Sequence, residues 1–336
     1  MNRPVDRAAG RAHERAQAVV AFGGGHGLHA TLSALRVLVD DLTVDDLTAI
    51  VTVADNGGSS GRLRGEFNVV PPGDLRMALA ALCGSDTWGD TWARVLQHRF
   101  QGEGEMRGHV VGNLLIVGLW ELLGDPVDAL DWVGRLLGAK GRVLPMALAP
   151  MDIRAEVRGL VPGDPDALTT VRGQVEVATT EGVITSVELE PPDPPVSPVA
   201  LGKVAEADWC FLGPGSWFSS VIPHVRVAAL REALVATEAR LVVVLNLEEQ
   251  QGETGGFGPA DHLAVLFEHA PALRVHTVLA DAANLSDDQR AELRQVVDDA
   301  GARLVVDDVA ADDGSPRHDP AKLAAAFARI IDGEAS

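Results

Sequence analysis

The sequence predicts an α/β protein: a doubly wound, mostly parallel sheet with helical segments and a small antiparallel β insertion. Three observations predict it. Short apolar runs alternate with longer helical patterns from about residue 18 onward, the rhythm of strand–helix–strand crossovers. Four of those runs end in loops rich in glycine and hydroxyl residues that lead toward helices. Between residues 143 and 190 the rhythm changes to period two, in "IRAEVRGL", "GQVEVATTE" and "VITSVELE", as antiparallel strands with one solvated face require.

Taken in order, residues 1–17 carry four arginines and no apolar signal core, so they are expected to be a disordered tail. Residues 18–332 are expected to form a single domain. Its first strand, about 18–22, turns through Gly23, Gly24, Gly25 and Gly27 into a helix over about 28–39. A second strand, "LTAIVTVA", spans 47–54 and ends at "DNGGSSG". Residues 88–139 read as a helical segment with tryptophan and leucine at core spacing. The β-rich insertion spans 143–198 and closes in the stiff connector "PPDPPVSP". Strands over 207–213, 239–247, 273–280 and 302–309 complete the sheet.

Composition restricts the partners. The formal net charge is −20, from 28 basic against 48 acidic side chains, and so acidic a surface repels nucleic acid and anionic membrane. A phosphate-bearing ligand must then be held by local donors. Cys83 and Cys210 stand far apart without metal-ligand spacing, which points to a reducing, cytoplasmic setting and away from structural zinc. The apolar stretch "VVGNLLIVGLW" is too short for a membrane span.

The chemistry is expected at the strand ends, where open α/β sheets bind ligands. Gly24, Gly25, His26 and Gly27 form the first loop, and Gly25–Ala30 fits the weak G-x-G-x-x-A dinucleotide pattern. Such a turn lets backbone amides of a helix N-terminus approach phosphate; a plain strand-to-helix turn is the alternative. In the second loop, Asp55 stands where an NAD enzyme keeps its ribose-binding acid, but Asn56, Gly57, Gly58, Ser59 and Ser60 form a further anion-accepting turn followed by Arg62. Helix capping by the serines is the bland reading. Asp74, in "PPGDLRMAL", is expected to cap a helix more than to act in a site. Gly213, Gly215 and Ser216 suit phosphate or a sugar hydroxyl, and Asn246, Gln250, Glu253 and Thr254 suit a base or sugar, with ordinary turn chemistry as the alternative. No Walker A motif or H-E-x-x-H pattern occurs. Binding loops abound; catalytic constellations do not.

In order along the chain, "GGGHGL", "VTVADNGGSSGRLR", "PPGDLRMAL", "QHRF", "GHVVGNLL", "GRVLP", "GPGSWFSSVIP" and "QGETGGFGPADHL" resemble the gluconeogenesis-factor (YvcK-like) branch of the CofD-like, or 2-phospho-L-lactate transferase-like, family. The resemblance covers about residues 18–310. It implies a Rossmann-like core and a cytoplasmic regulator that binds a uridine-diphosphate sugar such as UDP-N-acetylglucosamine. Such a regulator would link carbon metabolism to peptidoglycan synthesis and cell shape, with a cell-wall-synthesis protein as partner, as a homodimer, and without a required cofactor. On this reading the glycine loops hold the diphosphate with Arg62, and Asp55 and Asn113 bond ribose or sugar. The alternative is a transferase moving 2-phospholactate from a nucleotide diphosphate donor to a deazaflavin, with Mg2+ near Asp55; an NAD-dependent oxidoreductase is a third reading. The chain departs from the family pattern where Asn56 replaces an aspartate and His26 a threonine.

Overall fold

The computed structural model describes residues 17–250 and 252–333. The expected tail therefore lies outside the described residues except for Gln17, which opens a strand instead. That strand, β1 (Gln17–Gly23), leads through α1 (Gly25–Asp40) to β2 (Val44–Val51). Helices α2 (Gly58–Phe67), α3 (Pro72–Leu82), α4 (Thr87–Gln97), α5 (Val111–Leu123) and α6 (Pro126–Leu137) follow, before β3 (Arg142–Pro145). The insertion comprises β4 (Asp152–Arg158), β5 (Leu168–Arg172), α7 (Gln174–Ala178) and β6 (Val183–Glu190). The second half runs α8 (Pro198–Glu206), β7 (Trp209–Leu212), a π-type turn (Trp217–Val221), α9 (Ile222–Arg226), α10 (Ala228–Ala236) and β8 (Arg240–Val244). It closes with α11 (Pro259–His269), β9 (Thr277–Asp281), α12 (Asp287–Asp299), β10 (Arg303–Asp307) and α13 (Pro320–Ile331).

The seven-stranded sheet has the order β10-β9-β8-β7-β1-β2-β3, and every pair is parallel. The chain winds from β1 outward through β2 to β3, then returns to β7 and winds the opposite way. Right-handed crossovers in opposite directions place their helices on opposite faces. Accordingly α1 packs against α3, and α11 against α12. Helix α13 returns to lie on α1, and its Phe327 meets Phe211 of β7 with ring centroids 4.6 Å apart. Strands buried on both faces read as unbroken apolar runs: Val19 to Phe22 are all buried, as are Trp209 to Leu212.

The fold class predicted from sequence is the one observed, with three local corrections. Residues 143–145 belong to β3, the edge of the large sheet, where Arg142–Pro145 pair with Thr48–Val51; four residues are too few to show a period. "GQVEVATTE" is not a strand but contains α7. Gly173, at φ +105°, breaks the run, and the Val175 N–H donates to Asn56 Oδ1 at 3.0 Å. Strand β9 starts at Thr277, four positions after the predicted start, while Leu273 and Val275 enter the core from coil. The small sheet, β5-β4-β6, is antiparallel throughout. On β4, Ile153, Ala155 and Val157 are buried, between side chains that turn outward.

Candidate functional site at the switch in strand order

Because winding reverses between β1 and β7, the loops leaving their carboxyl ends bound the crevice where this architecture accommodates ligands. The two loops meet backbone to backbone. A Cβ on Gly27 would stand 2.1 Å from the Pro214 carbonyl oxygen, so the last glycine of the fingerprint serves loop packing. Thr31 Oγ1 donates to the Gly213 carbonyl at 3.0 Å, fixing α1 to the same loop. Gly25 differs: at φ +56° it opens α1, and a Cβ there would meet nothing within 4 Å. Its surroundings are free space. Gly24 is enclosed, with Asp74 Oδ2 2.5 Å from where its Cβ would lie.

The loop after β8 braces the loop after β7. Asn246 bonds Gly215 reciprocally, accepting its N–H at 2.9 Å and donating to its carbonyl at 3.0 Å. Gln250 Oε1 accepts from the Trp217 N–H at 3.3 Å, and Glu253 Oε2 from the Phe218 N–H at 2.9 Å. Thr254 Oγ1 accepts from the Gln250 N–H at 2.8 Å. Glu253 and Thr254 are buried, and burial raises the Glu253 pKa. The hydrogen bonds of these four residues thus hold loops together. Ser216 directly precedes the π-type turn and accepts the Ser220 N–H through its carbonyl at 2.8 Å.

Beside these loops lies a cleft of about 640 Å³, within the range of small-molecule sites. His26, Gly27 and His29 of α1 form one wall, Pro214, Gly215 and residues 246–250 a second, and Arg317 and His318 part of a third. The third wall comes from the β10–α13 connection, which carries no motif and was missed from sequence. His29 is held below its ordinary pKa by burial first, and then by His26, Arg36 and Arg76. Burial lowers His318 to about 4, against the opposing effect of Asp281 and a backbone hydrogen bond to Leu245.

On the other side of β1, the β2–α2 loop brings Asp55 and polar side chains close to Asp74 of α3. Thr52 ties it to the rest: its N–H reaches Gly23 O at 2.9 Å and its Oγ1 reaches Ser220 O at 2.9 Å. Asp55 Oδ1 accepts the Gly57 N–H at 2.8 Å, while its Oδ2 lies 2.7 Å from a Cβ placed on Gly73. Gly58 leaves open space, as Gly25 does. Asp74 is not the α3 cap; Pro71 occupies that position without a side-chain bond, and Pro72 is preset for the first helical residue. Asp74 instead faces inward, its pKa pushed up to about 7 by burial and then by repulsion from Asp55, with the Gly25 N–H and Arg76 opposing. Arg76, also unassigned from sequence, is buried and bonds Gln97.

The remaining candidates are held by protein partners. Ser59 Oγ lies 3.2 Å from His109 Nδ1 and accepts the Val110 N–H at 3.3 Å. Asn113 Nδ2 donates to Ser60 Oγ at 3.4 Å, leaving a buried Asn113 Oδ1 without a partner. Arg62 spends its fork on the carbonyls of Glu105 and Arg107, at 3.2 and 2.9 Å. Asn56 Nδ2 donates to Glu176 Oε2 at 2.8 Å, so an amide suits this position where a carboxylate would face a carboxylate. Asn56→Asp is expected to lower stability by about 0.5–1 kcal/mol, measured from urea midpoints, and adding Glu176→Gln should restore most of it. Equal losses in the single and double variants would contradict the contact.

The family model described as 2-phospho-L-lactate transferase CofD matches residues 19–315. A putative gluconeogenesis factor of Mycobacterium tuberculosis is 52% identical over 316 residues, covering 94% of this chain and 89% of that one. A gluconeogenesis factor of Listeria monocytogenes is 32% identical, covering 93% and 95% respectively. The crystal structure of a UPF0052-family protein from Bacillus halodurans superposes with a TM-score of 0.81 at 31% identity, covering 94% of this chain and 99% of that one.

Proposed function

The chain belongs to the CofD family, where its relatives are gluconeogenesis factors, and on that footing we propose that it is a regulator binding a uridine-diphosphate sugar such as UDP-N-acetylglucosamine. The observation that carries this reading is the meeting of the β1 and β7 loops beside the 640 Å³ cleft. That cleft opens at the switch in strand order. It lies beside the N-terminus of a sixteen-residue helix, α1, which favours an anion. In a chain of net charge −20, an imidazole-bearing wall marks a place for phosphate. Asn246 and Gln250 then set the shape of the base or sugar wall through the loops they hold, and Arg62 ties α2 to the α4–α5 connection.

A ligand spanning these loops biases whichever loop arrangement it binds better. The proposed readout is contact with a cell-wall-synthesis protein in the cytoplasm, coupling carbon supply to peptidoglycan synthesis and cell shape; a homodimer is compatible with it. Among the described residues no helix is long and apolar enough to cross a membrane. Isothermal titration with UDP-N-acetylglucosamine, GDP and NAD tests the reading. Micromolar binding of the UDP-sugar with none of NAD is expected; NAD binding without UDP-sugar binding would overturn it.

A second reading, a phospholactate-type transferase, is favoured by the Asp55–Asp74 carboxylate pair. Among the described residues no three His, Cys, Asp or Glu side chains are grouped to hold a metal, and Asn56 is turned to Glu176. Asp55 therefore suits a Mg2+ ion that arrives on the ligand's own phosphates. Such an ion would neutralise phosphate charge there. Turnover of a phospholactyl-nucleotide donor with a deazaflavin, abolished in Asp55→Ala, would establish this activity.

A further inference from the structure

We propose that the phosphoryl groups of the ligand are gripped at the histidine-lined end of the cleft, by His26 and His29 on α1 and by His318 opposite them, and that binding draws protons onto His29 and His318. The inference rests on the nucleotide-diphosphate reading and says which side chains recognise the anion.

His26 and His29 are three residues apart on α1, hence on one face of the helix, and both line the cleft with His318. One ring nitrogen of His318 is engaged by the Leu245 carbonyl, while its Nε2 is buried without a partner. A neutral ring that donates to a carbonyl leaves its other nitrogen bare, which is where a proton and an anion enter together.

The other charged groups nearby, Glu248 apart, are committed elsewhere. Arg317 Nη2 bonds Asp313 Oδ2 at 2.7 Å and its Nε bonds Ser315 at 2.9 Å. Asp319 accepts the Ala321 and Lys322 amides at 2.8 and 3.0 Å. Glu249 accepts the Gly256 N–H at 2.5 Å, which leaves Glu248 as the other carboxylate on the cleft. The three lysines of the chain all pair with aspartates. His29 is faced by His26 and Arg36 of α1 and by Arg76 of α3; His318 is faced by Asp281 at the end of β9.

Burial keeps both His29 and His318 low, and like charge adds to it at His29 alone, so no buried charge has to be sustained there. A phosphate reverses that balance, because a nearby negative charge favours the protonated ring. The expected result is net proton uptake on binding and an affinity that rises as pH falls. Both phosphates of a UDP-sugar are diesterified and stay ionised near neutral pH, so uptake reports on the protein.

Titration calorimetry with UDP-N-acetylglucosamine in buffers of different ionisation heat, at pH about 6 to 8, tests this directly. The wild-type chain should take up protons and bind several-fold more tightly at the acid end. His29→Gln and His318→Gln should each reduce uptake and flatten the pH dependence, with melting temperatures near wild type. His26→Thr should weaken binding. Uptake by Asp74, whose carboxyl is pushed up to about 7, would instead persist undiminished in both glutamine variants. Intact binding with buffer-independent heats, or full uptake in both glutamine variants, would overturn the inference while leaving the nucleotide-sugar reading in place. Failure to bind any nucleotide would overturn both.

Discussion

Asp74→Asn is expected to stabilise the protein above neutral pH and to remove a decline in stability that the wild-type chain shows between about pH 4 and 7. The sign follows from the direction of the shift. The unfolded chain releases this proton in the ordinary carboxylate range, whereas the folded chain holds it to about 7. Within that window the folded state carries more protons, so stability falls as pH rises, and it levels once both states are ionised. Protein encloses the Asp74 carboxyl, yet part of the residue's surface remains open, so water screens some of the repulsion from Asp55. A gain of about 1–2 kcal/mol at pH 8 is the expectation. Urea midpoints for both chains at the two ends of the window give the answer. An asparagine variant destabilised equally at both pH values would mean that the pair is not strained.

Gly27→Ala should damage both the fold and the cleft. The added carbon would lie 2.1 Å from the Pro214 oxygen, 2.6 Å from its carbonyl carbon and 2.7 Å from Gly215 Cα. All three are backbone atoms in a loop held by Asn246 and Thr31, so no side chain can swing aside. Overpacking of this kind costs about 1–3 kcal/mol. Moving the β7 loop away from α1 also displaces the cleft wall, so nucleotide-sugar affinity should fall at least about tenfold, equivalent to about 1.4 kcal/mol. Gly25→Ala is the contrasting case: its methyl group meets nothing within 4 Å, and the cost is that of a positive φ of +56°. If Gly27→Ala melts like wild type and keeps its affinity, the β1 and β7 loops do not meet as described.

Much of the fold was legible because parallel strands buried on both faces write themselves as apolar runs. Val19–Phe22, Trp209–Leu212 and Leu241–Val244 are such runs. The short β3 was not legible, since a four-residue edge strand has no period to detect. Segment α7 was misread because Val175 and Val177 alternate as in a strand, while the deciding contact comes from Asn56, more than a hundred residues away. The glycine loops were visible at the strand ends, but not the division of labour within them: Gly27 packs against a second loop and Gly25 leaves space. Arg62 was expected to face phosphate, yet its donors meet two carbonyls of the α4–α5 connection. The wall containing His318 left no trace in the sequence, because an orphaned ring nitrogen is a property of packing.

The central claim is that the loops after β1 and β7 together hold the diphosphate of a nucleotide sugar. A crystal structure of the protein grown with UDP-N-acetylglucosamine tests it most directly. The account predicts the diphosphate between His26–Gly27 and Gly215, within reach of His29 and His318, with the nucleoside lying along the cleft toward Asn246. An ordered nucleotide bound elsewhere, for example in the neighbouring cavity between Phe257, His262 and Asn284, would contradict it.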